Sequence, residues 1–493
     1  MIKINTKIHD LFSIEIKKSY MINGEIPKSD FSVKMWIFVP NSLDVNIYNY
    51  GKDQFYRDMK SNVRIIIPAF EFKHLASAEA KPFQYLERSL KRLTEESPTK
   101  SLNDLEHQTK MFTSIVESAL SREVDGLGEL KYGEETILQY QEFINNSKKI
   151  LNRYRGLNET YKLEETTKDD RNNYFSFADE YLSLIFEKNF FKLIRKVDPI
   201  KPEEGDNSIV RKALVAFIRN EIGYRETRNY VTLSKDNVEI NQSVIYRRNL
   251  LKKYLRSHLF LNLNKKEDGM AIKQLYYSIA AGIAMVFATF IAFYMQKTFG
   301  NFSFPLFIAL VVSYMCKDRI KELVRFYFGQ KLSHKYFDNK STISIAGHKI
   351  GQIKEGVDFI ATKNVPKEIL EIRNTNTNLK AENRIFGEKV ILYREYVNIR
   401  TNKIDVDKRY ITTGLNNIMR LHLSRFVSKM DNPYVPIDRL KSNDEIETIN
   451  ALKLYNLNLI LEINQESGTS YKHYRCSLNR LGIKKLKEIP LEV

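Results

Sequence analysis

The chain has 493 residues, of which 43% are apolar, and a formal charge of +18, with only 12 prolines and 19 glycines. That length exceeds one ordinary domain and suggests about three, while the composition excludes a largely disordered chain. The charge runs through all regions and does not license DNA or RNA binding; two cysteines and eight scattered histidines exclude a disulfide framework and the usual zinc or iron–sulfur spacings.

Residues 1–80 read as a small mixed α/β domain. IKINTKI, LFSIEIKK, FSVKMWIFVP (Phe31–Pro40) and VRIIIPAF (Val63–Phe70) are short β-branched or aromatic runs of strand character. Between them, YNYGKDQFYRDMK offers Tyr48, Tyr50, Phe55, Tyr56, Arg57 and Asp58 as a helix face or a binding surface. Residues 81–272 form a mostly helical region. Apolar residues recur at three and four in Phe83–Thr94, Lys110–Arg122, Glu134–Arg155, Phe177–Val197 and Ile209–Ile222, with Asp198, Pro199, Pro202, Gly205 and Asp206 separating the last two. The basic stretch Val244–Leu263 then carries Lys252, Lys253 and Arg256, which with Lys265, Lys266 and Lys273 suit an anionic headgroup surface.

Residues 273–316 predict a transmembrane helical hairpin. Tyr276–Met295 is uncharged over about 20 residues, the thickness of a bilayer at 1.5 Å per residue. A short polar turn leads to Phe302–Cys316, shorter but also uncharged, which reads as a second span. Lys317, Arg319, Lys321 and Arg325 follow, against Lys297 alone in the turn, so the positive-inside rule places both flanks in the cytoplasm. MIKINTKIHD opens without the apolar run of a signal peptide, in keeping with that side. The expected location is a bacterial-type inner membrane, multi-pass, with both termini cytoplasmic. Ala280, Ala284, Ala288 and Ala292 give the first helix a smooth face, and Ala309 and Ser313 a smaller one on the second, for packing within the hairpin or between copies. Neither span holds a charge, which argues against a proton relay, ion-coupled transporter or voltage sensor.

Residues 317–335 predict an amphipathic connector helix through Ile320, Leu323, Val324 and Tyr327, and residues 336–493 an α+β domain. There Ser341–Ile353 reads as a hairpin about Gly347, ILEIRN, KVILYREYVNIR and YNLNLILEINQ as strands, and Gly414–Met430 as a helix presenting Arg420, His422, Arg425 and Lys429 toward anions. The fold class expected is α+β cytoplasmic regions flanking a two-helix transmembrane hairpin, with a helical middle region and a strand-rich C-terminal domain.

Three sets of residues carry a resemblance: MWIFVPNSLDVN with FYRDMKSNVR, SYMCKDRIKELVRFYF, and LHLSRFVSKMDNP with YNLNLILEIN. In the same order along much of the chain, they resemble a functionally uncharacterised family of bacterial two-span inner-membrane proteins. The resemblance implies the architecture and no activity, ligand or catalytic residue.

No catalytic, cofactor-binding or metal-binding motif is present: GHKIGQIKEG lacks the GKS or GKT of a phosphate loop, and neither HExxH nor GxSxG occurs. The expected partners are a lipid bilayer with anionic headgroups and an unidentified cytoplasmic protein or a second copy, with no cofactor. The function expected is a membrane-anchored cytoplasmic scaffold or signalling protein. The alternatives are an oligomerising membrane-perturbing stress or defence effector, and a membrane-anchored enzyme with an unrecognised site.

Overall fold

The computed structural model describes the chain apart from residues 23–25, 96–97, 131–133, 162–169, 198–204, 301–302, 346, 375–386, 402–403, 405–408, 411, 443, 466–467 and 492–493. Asp198, Pro199 and Pro202 lie outside the described residues; Gly205 and Asp206 begin a helix. The chain forms two compact units: one of residues 1–64, 261–406 and 414–493, the other of residues 65–260 and 407–413.

The first unit opens with strands β1 (Ile2–Asp10), β2 (Ser13–Met21) and β3 (Lys28–Pro40), helix α1 (Lys52–Asp58) and strand β4 (Met59–Ile65). The helical unit follows as α2 (Phe72–Leu75), α3 (Lys81–Glu95), α4 (Pro98–Leu127), α5 (Glu134–Thr160), α6 (Asp170–Val197), α7 (Gly205–Thr227) and α8 (Val238–Leu255). The chain then returns through β5 (Asn262–Glu267), α9 (Met270–Phe299), α10 (Phe304–Lys335), β6 (Asn339–Ile345), β7 (His348–Ile360), α11 (Lys367–Arg373), β8 (Glu388–Arg400) and β9 (Gly414–His422). Helix α12 (Ser424–Val427) and strands β10 (Tyr434–Leu440), β11 (Ile446–Leu452), β12 (Tyr455–Gln465), β13 (Gly468–Asn479) and β14 (Gly482–Ile489) complete it.

An eight-stranded sheet in the order β14-β13-β12-β3-β8-β7-β6-β5 dominates the first unit. Side chains of its central strands point alternately to two covered faces, so β3 and β12 are buried over long continuous runs. Trp36, Phe38, Val390, Leu392 and Ile460 share one face with Val365 and Ile369 at α11. The other face meets a four-stranded sheet, β1-β2-β9-β4, where Tyr20 of β2 packs 5.2 Å from Phe31 of β3. Strands β10 and β11 stand as a separate exposed ribbon.

Three expectations are corrected here. Residues 1–80 and 336–493 are not separate domains, since β3 lies between β8 and β12 and shares register with both. Gly414–Met430 is not one helix: Leu415, Asn417, Met419 and Leu421 are buried at alternate positions while β9 pairs along β2, and only Ser424–Val427 turns helical. Ile369–Arg373 is helical because α11 starts after Pro366, whose extended φ/ψ sets the entry, and Ile369 drops onto the sheet.

The helical unit begins at Ile65 and ends at Phe260, so Leu261–Ile272 belongs instead with the sheet, where β5 pairs with β6. Its core is aromatic. Phe190 stacks on Phe217 at 3.9 Å and lies 5.1 Å from Phe143; Tyr154 stacks between Phe175 at 4.2 Å and Phe112 at 5.5 Å. Offset ring pairs of this kind add to the burial of large apolar areas. Asn237 caps α8 by accepting from the Ile240 amide at 3.1 Å.

Candidate functional site

Helices α9 and α10 pack against each other as a hairpin. Small side chains allow the close approach: Ala280 and Ala284 are buried, Ala288, Ala292 and Ala309 are half-buried, and the buried Ser313 donates its hydroxyl to the Ala288 carbonyl at 3.3 Å. Lower down, Tyr276 stacks on Phe328 at 4.8 Å and the Arg325 guanidinium lies 5.0 Å from the Tyr277 ring. The outward faces are apolar and uncovered, with Val286 70%, Phe290 69%, Phe293 68% and Phe307 63% exposed. Among the described residues α9 alone is long and apolar enough to cross a membrane; α10 carries its charges too early to qualify. A groove of about 800 Å³ runs beside the distal halves, lined by Ala292, Gln296, Phe304, Leu306, Phe307 and Leu310.

The basic residues singled out in the sequence fall into three groups. In the helical unit Lys252 and Lys253 are exposed, while Arg256 is held by Glu117 at 2.9 and 2.5 Å. At the base of α9, Lys273 pairs with Glu267 at 3.0 Å, Lys266 faces solvent, and Lys265 turns inward to 3.6 Å from Glu355. On α10, Lys317 covers the Tyr314 ring at 3.8 Å, Arg319 pairs with Glu322 at 3.2 Å, and Lys321 is half-buried beside them. Arg420, His422, Arg425 and Lys429 make no common anion site; they are bonded separately to Glu15, Ser13, Asp58 and Asp44.

Beneath the hairpin lies a buried polar network that the sequence reading did not assemble. Glu355 of β7 and Glu395 of β8 are register partners, 5% and 1% exposed. The Tyr393 hydroxyl sits between their carboxylates at 2.8 and 2.9 Å. Lys18 and Tyr20 of β2 bond Glu395 directly, and Asn417 of β9 donates to it at 3.0 Å while accepting from Ser61 at 2.7 Å. Burial opposes ionisation of Glu395, yet Lys18, Tyr20 and Tyr393 together hold its carboxyl below the ordinary value. Glu355 goes the other way: burial, then the neighbouring Glu395 charge, push it up. Two like groups in one dry site are thereby driven apart, one ionised against Lys18 and the other biased toward its neutral form.

From Glu355 the network reaches the feet of both helices. Lys265 lies 4.7 Å over the Tyr56 ring, and the Tyr56 hydroxyl donates to Asp338 at 3.0 Å. Asp338, just after α10, also accepts from Lys52 at 2.8 Å and from the Val357 amide at 2.8 Å. Asp268, just before α9, accepts from Lys354 at 3.0 Å and bonds through its amide to the Asp338 carbonyl at 3.2 Å. Gly269 then turns the chain into α9 with φ +70° against the Tyr336 ring, a left-handed conformation that glycine adopts without a Cβ penalty. Both helices thus leave the sheet from residues fixed by charge-assisted hydrogen bonds.

A period-two reading of KVILYREYVNIR contains the missed signal. Glu395 falls on the same face as Ile391, Tyr393, Val397 and Ile399, a carboxylate in an otherwise inward row, and such a group requires a buried partner. No local pattern names that partner, because Lys18 lies 377 residues away.

The helical unit has its own polar centre. Arg155 bonds Glu221 at 3.0 and 2.7 Å and Asp179 at 3.1 Å, and its guanidinium lies 3.5 Å from the Tyr224 ring. Tyr224 and Tyr230 both donate to Asp179, at 2.7 and 3.3 Å, beside a cavity of about 270 Å³. The ions there are already matched to one another. No group of three or more metal-ligating side chains occurs among the described residues. Comparison with protein-family models, curated proteins and solved structures finds no match.

Proposed function

We propose that this chain is a membrane-anchored scaffold or signalling protein that holds two soluble units at a bilayer surface for a protein partner. One observation carries the reading: an outward-facing apolar hairpin, α9 with α10, is rooted through Asp268 and Asp338 in a buried ionic network of the sheet unit. Uncovered apolar faces of this extent are stable against lipid rather than water. A firm root would pass a displacement of the hairpin into β5 and β6, which suits an anchor more than a tether. In this reading the units face a bacterial cytoplasm, and the likeness to two-span bacterial proteins fits it without adding chemistry.

The effector alternative receives less support. Ala280, Ala284 and Ser313 are used within the hairpin, so they are not free to join copies. The enzyme alternative lacks a cleft at the network, whose two carboxylates are buried.

The test is crosslinked capture of the tagged full chain from its native membranes, followed by mass spectrometry. A stoichiometric protein crosslinked to either soluble unit is the expected result. Recovery of the chain in a homo-oligomer alone, or as a monomer, overturns the scaffold reading.

A further inference from the structure

The register of the two helices gives the hairpin a depth that apolar run lengths do not. Ser313 lies against Ala288, and Phe328 against Tyr276. Between these fixed points α10 advances fifteen residues against twelve on α9, so Lys317 comes level with the neighbourhood of Ala284, Lys321 with that of Ala281, and Arg325 with that of Tyr277, over whose ring it sits. The uncharged run of α9 begins below Tyr276, whereas α10 is charged from Lys317 to Arg325. Only the distal stretches Val286–Met295 and Phe304–Cys316 are therefore uncharged together, with Lys297 alone at the tip. They measure about 15–20 Å at 1.5 Å per residue, against about 30 Å of hydrocarbon.

A full span by α9 would carry Lys317, Asp318, Arg319, Lys321, Glu322 and Arg325 into lipid on the α10 side. Two of them, Arg319 and Glu322, pair with each other at 3.2 Å on the exposed surface, and Arg325 lies over the Tyr277 ring. Charges at that depth need burial in protein or water. Resting on the membrane-anchor reading above, we propose that the hairpin enters the bilayer only by its distal half and that α10 from Lys317 to Arg325 is a headgroup belt. Its cations Lys317, Arg319, Lys321 and Arg325 exceed its anions Asp318 and Glu322, which complements the phosphates of anionic phospholipid. The proximal half of α9 then stands beside the belt as a stalk, with Tyr276 and Tyr277 toward its base, rather than as the first part of a span.

Thiol accessibility tests the depth. Cys316 is exposed, and Cys476 is buried, with burial pushing its thiol up to about 12, so one native cysteine reports. In a Cys316→Ser background, Phe290→Cys and Phe307→Cys place thiols in the distal half and Leu323→Cys in the belt; all three positions are exposed, at 69%, 63% and 66%. The full chain is reconstituted in phosphatidylglycerol–phosphatidylcholine vesicles and reacted with a polar, membrane-impermeant maleimide. The expected result is that Leu323→Cys reacts at least tenfold faster than Phe290→Cys and Phe307→Cys. Equal protection of all three positions overturns the belt, and oxidative crosslinking of Leu323→Cys between copies assigns that protection to a second chain. Rapid reaction at all three positions overturns the anchor reading itself.

Discussion

Glu395 accepts from Lys18, Tyr20, Tyr393 and Asn417, so removing its carboxylate strands a buried ammonium. Breaking a buried pair from one side costs about 3–5 kcal/mol, whereas replacing both partners by apolar groups is often neutral. Glu395→Ala is expected to destabilise the sheet unit by that amount, and Lys18→Met with Glu395→Leu to recover most of it. Denaturant titration followed by the fluorescence of Trp36, the only tryptophan and a neighbour of Leu392 in register, measures both; equal losses in the two variants contradict the pairing. The two carboxylates have opposite pH signs. Glu395 is depressed in the fold, so its contribution is present above the ordinary value of 4.5 and is lost as pH falls through the folded value. Glu355 is raised, so its contribution is full below 4.5 and is lost as pH rises through the folded value. Glu355→Gln should accordingly gain stability relative to the native chain as pH rises above 4.5 in the same titration; a constant difference contradicts the assignment.

At the scale of elements, strands β3, β8 and β12 were legible, because a two-sided core leaves long, nearly continuous apolar runs. Strand β9 was not. Leu415 and Met419 stand four apart and fit a helix as well as a strand; pairing with β2, hundreds of residues away, decides between them. The hairpin was legible as two apolar runs but not as a registered pair, since run lengths say nothing of which residues stand level. Magnitude favours the shallow register. A charge at the bilayer centre costs about 2.5–3.5 kcal/mol, and a full span by α9 would bring Lys317, Asp318 and Arg319 toward it, against Lys297 alone at the tip in the shallow register. Leaving Leu275, Ile279, Ile283 and Met285 of α9 outside hydrocarbon forfeits about 1.5–3 kcal/mol each at most. The tight alanine contact gives a second prediction. Ala284→Leu overpacks the helix pair by about 1–3 kcal/mol, so trypsin should cut the detergent-solubilised chain at Lys317 and Lys321 faster than the native protein; unchanged cleavage would show that Ala284 does not hold the helices together.

Across the whole molecule, the two units answer to acid through different groups. In the helical unit, burial and then the neighbouring His107 lower His258 to about 3 from 6.5, with Lys110 adding to the effect, so its neutral form is the folded one. A base with a depressed folded value contributes stability above 6.5 that is lost as pH falls toward 3. The sheet unit answers through His473 of β13, which burial and then Arg373 and Arg475 lower to about 4 from 6.5, and below 4.5 through Glu395 as well. Hydrogen exchange, corrected for its intrinsic pH dependence, should show α4 and α8 losing protection as pH falls below 6.5. His258→Gln should remove that loss from α4 and α8 while leaving the pH response of the sheet unit in place, and an unchanged loss in α4 and α8 would contradict the role given to His258. The account rests above all on the hairpin holding the chain in a membrane. The direct measurement is alkaline carbonate extraction of membranes from cells making the full chain, beside a variant with Phe290→Asp and Phe307→Asp, both on exposed hairpin faces. The native chain is predicted to stay in the pellet and the variant to move to the supernatant while keeping its Trp36 emission; a native chain released by carbonate, or a variant retained like the native chain, would contradict the anchor.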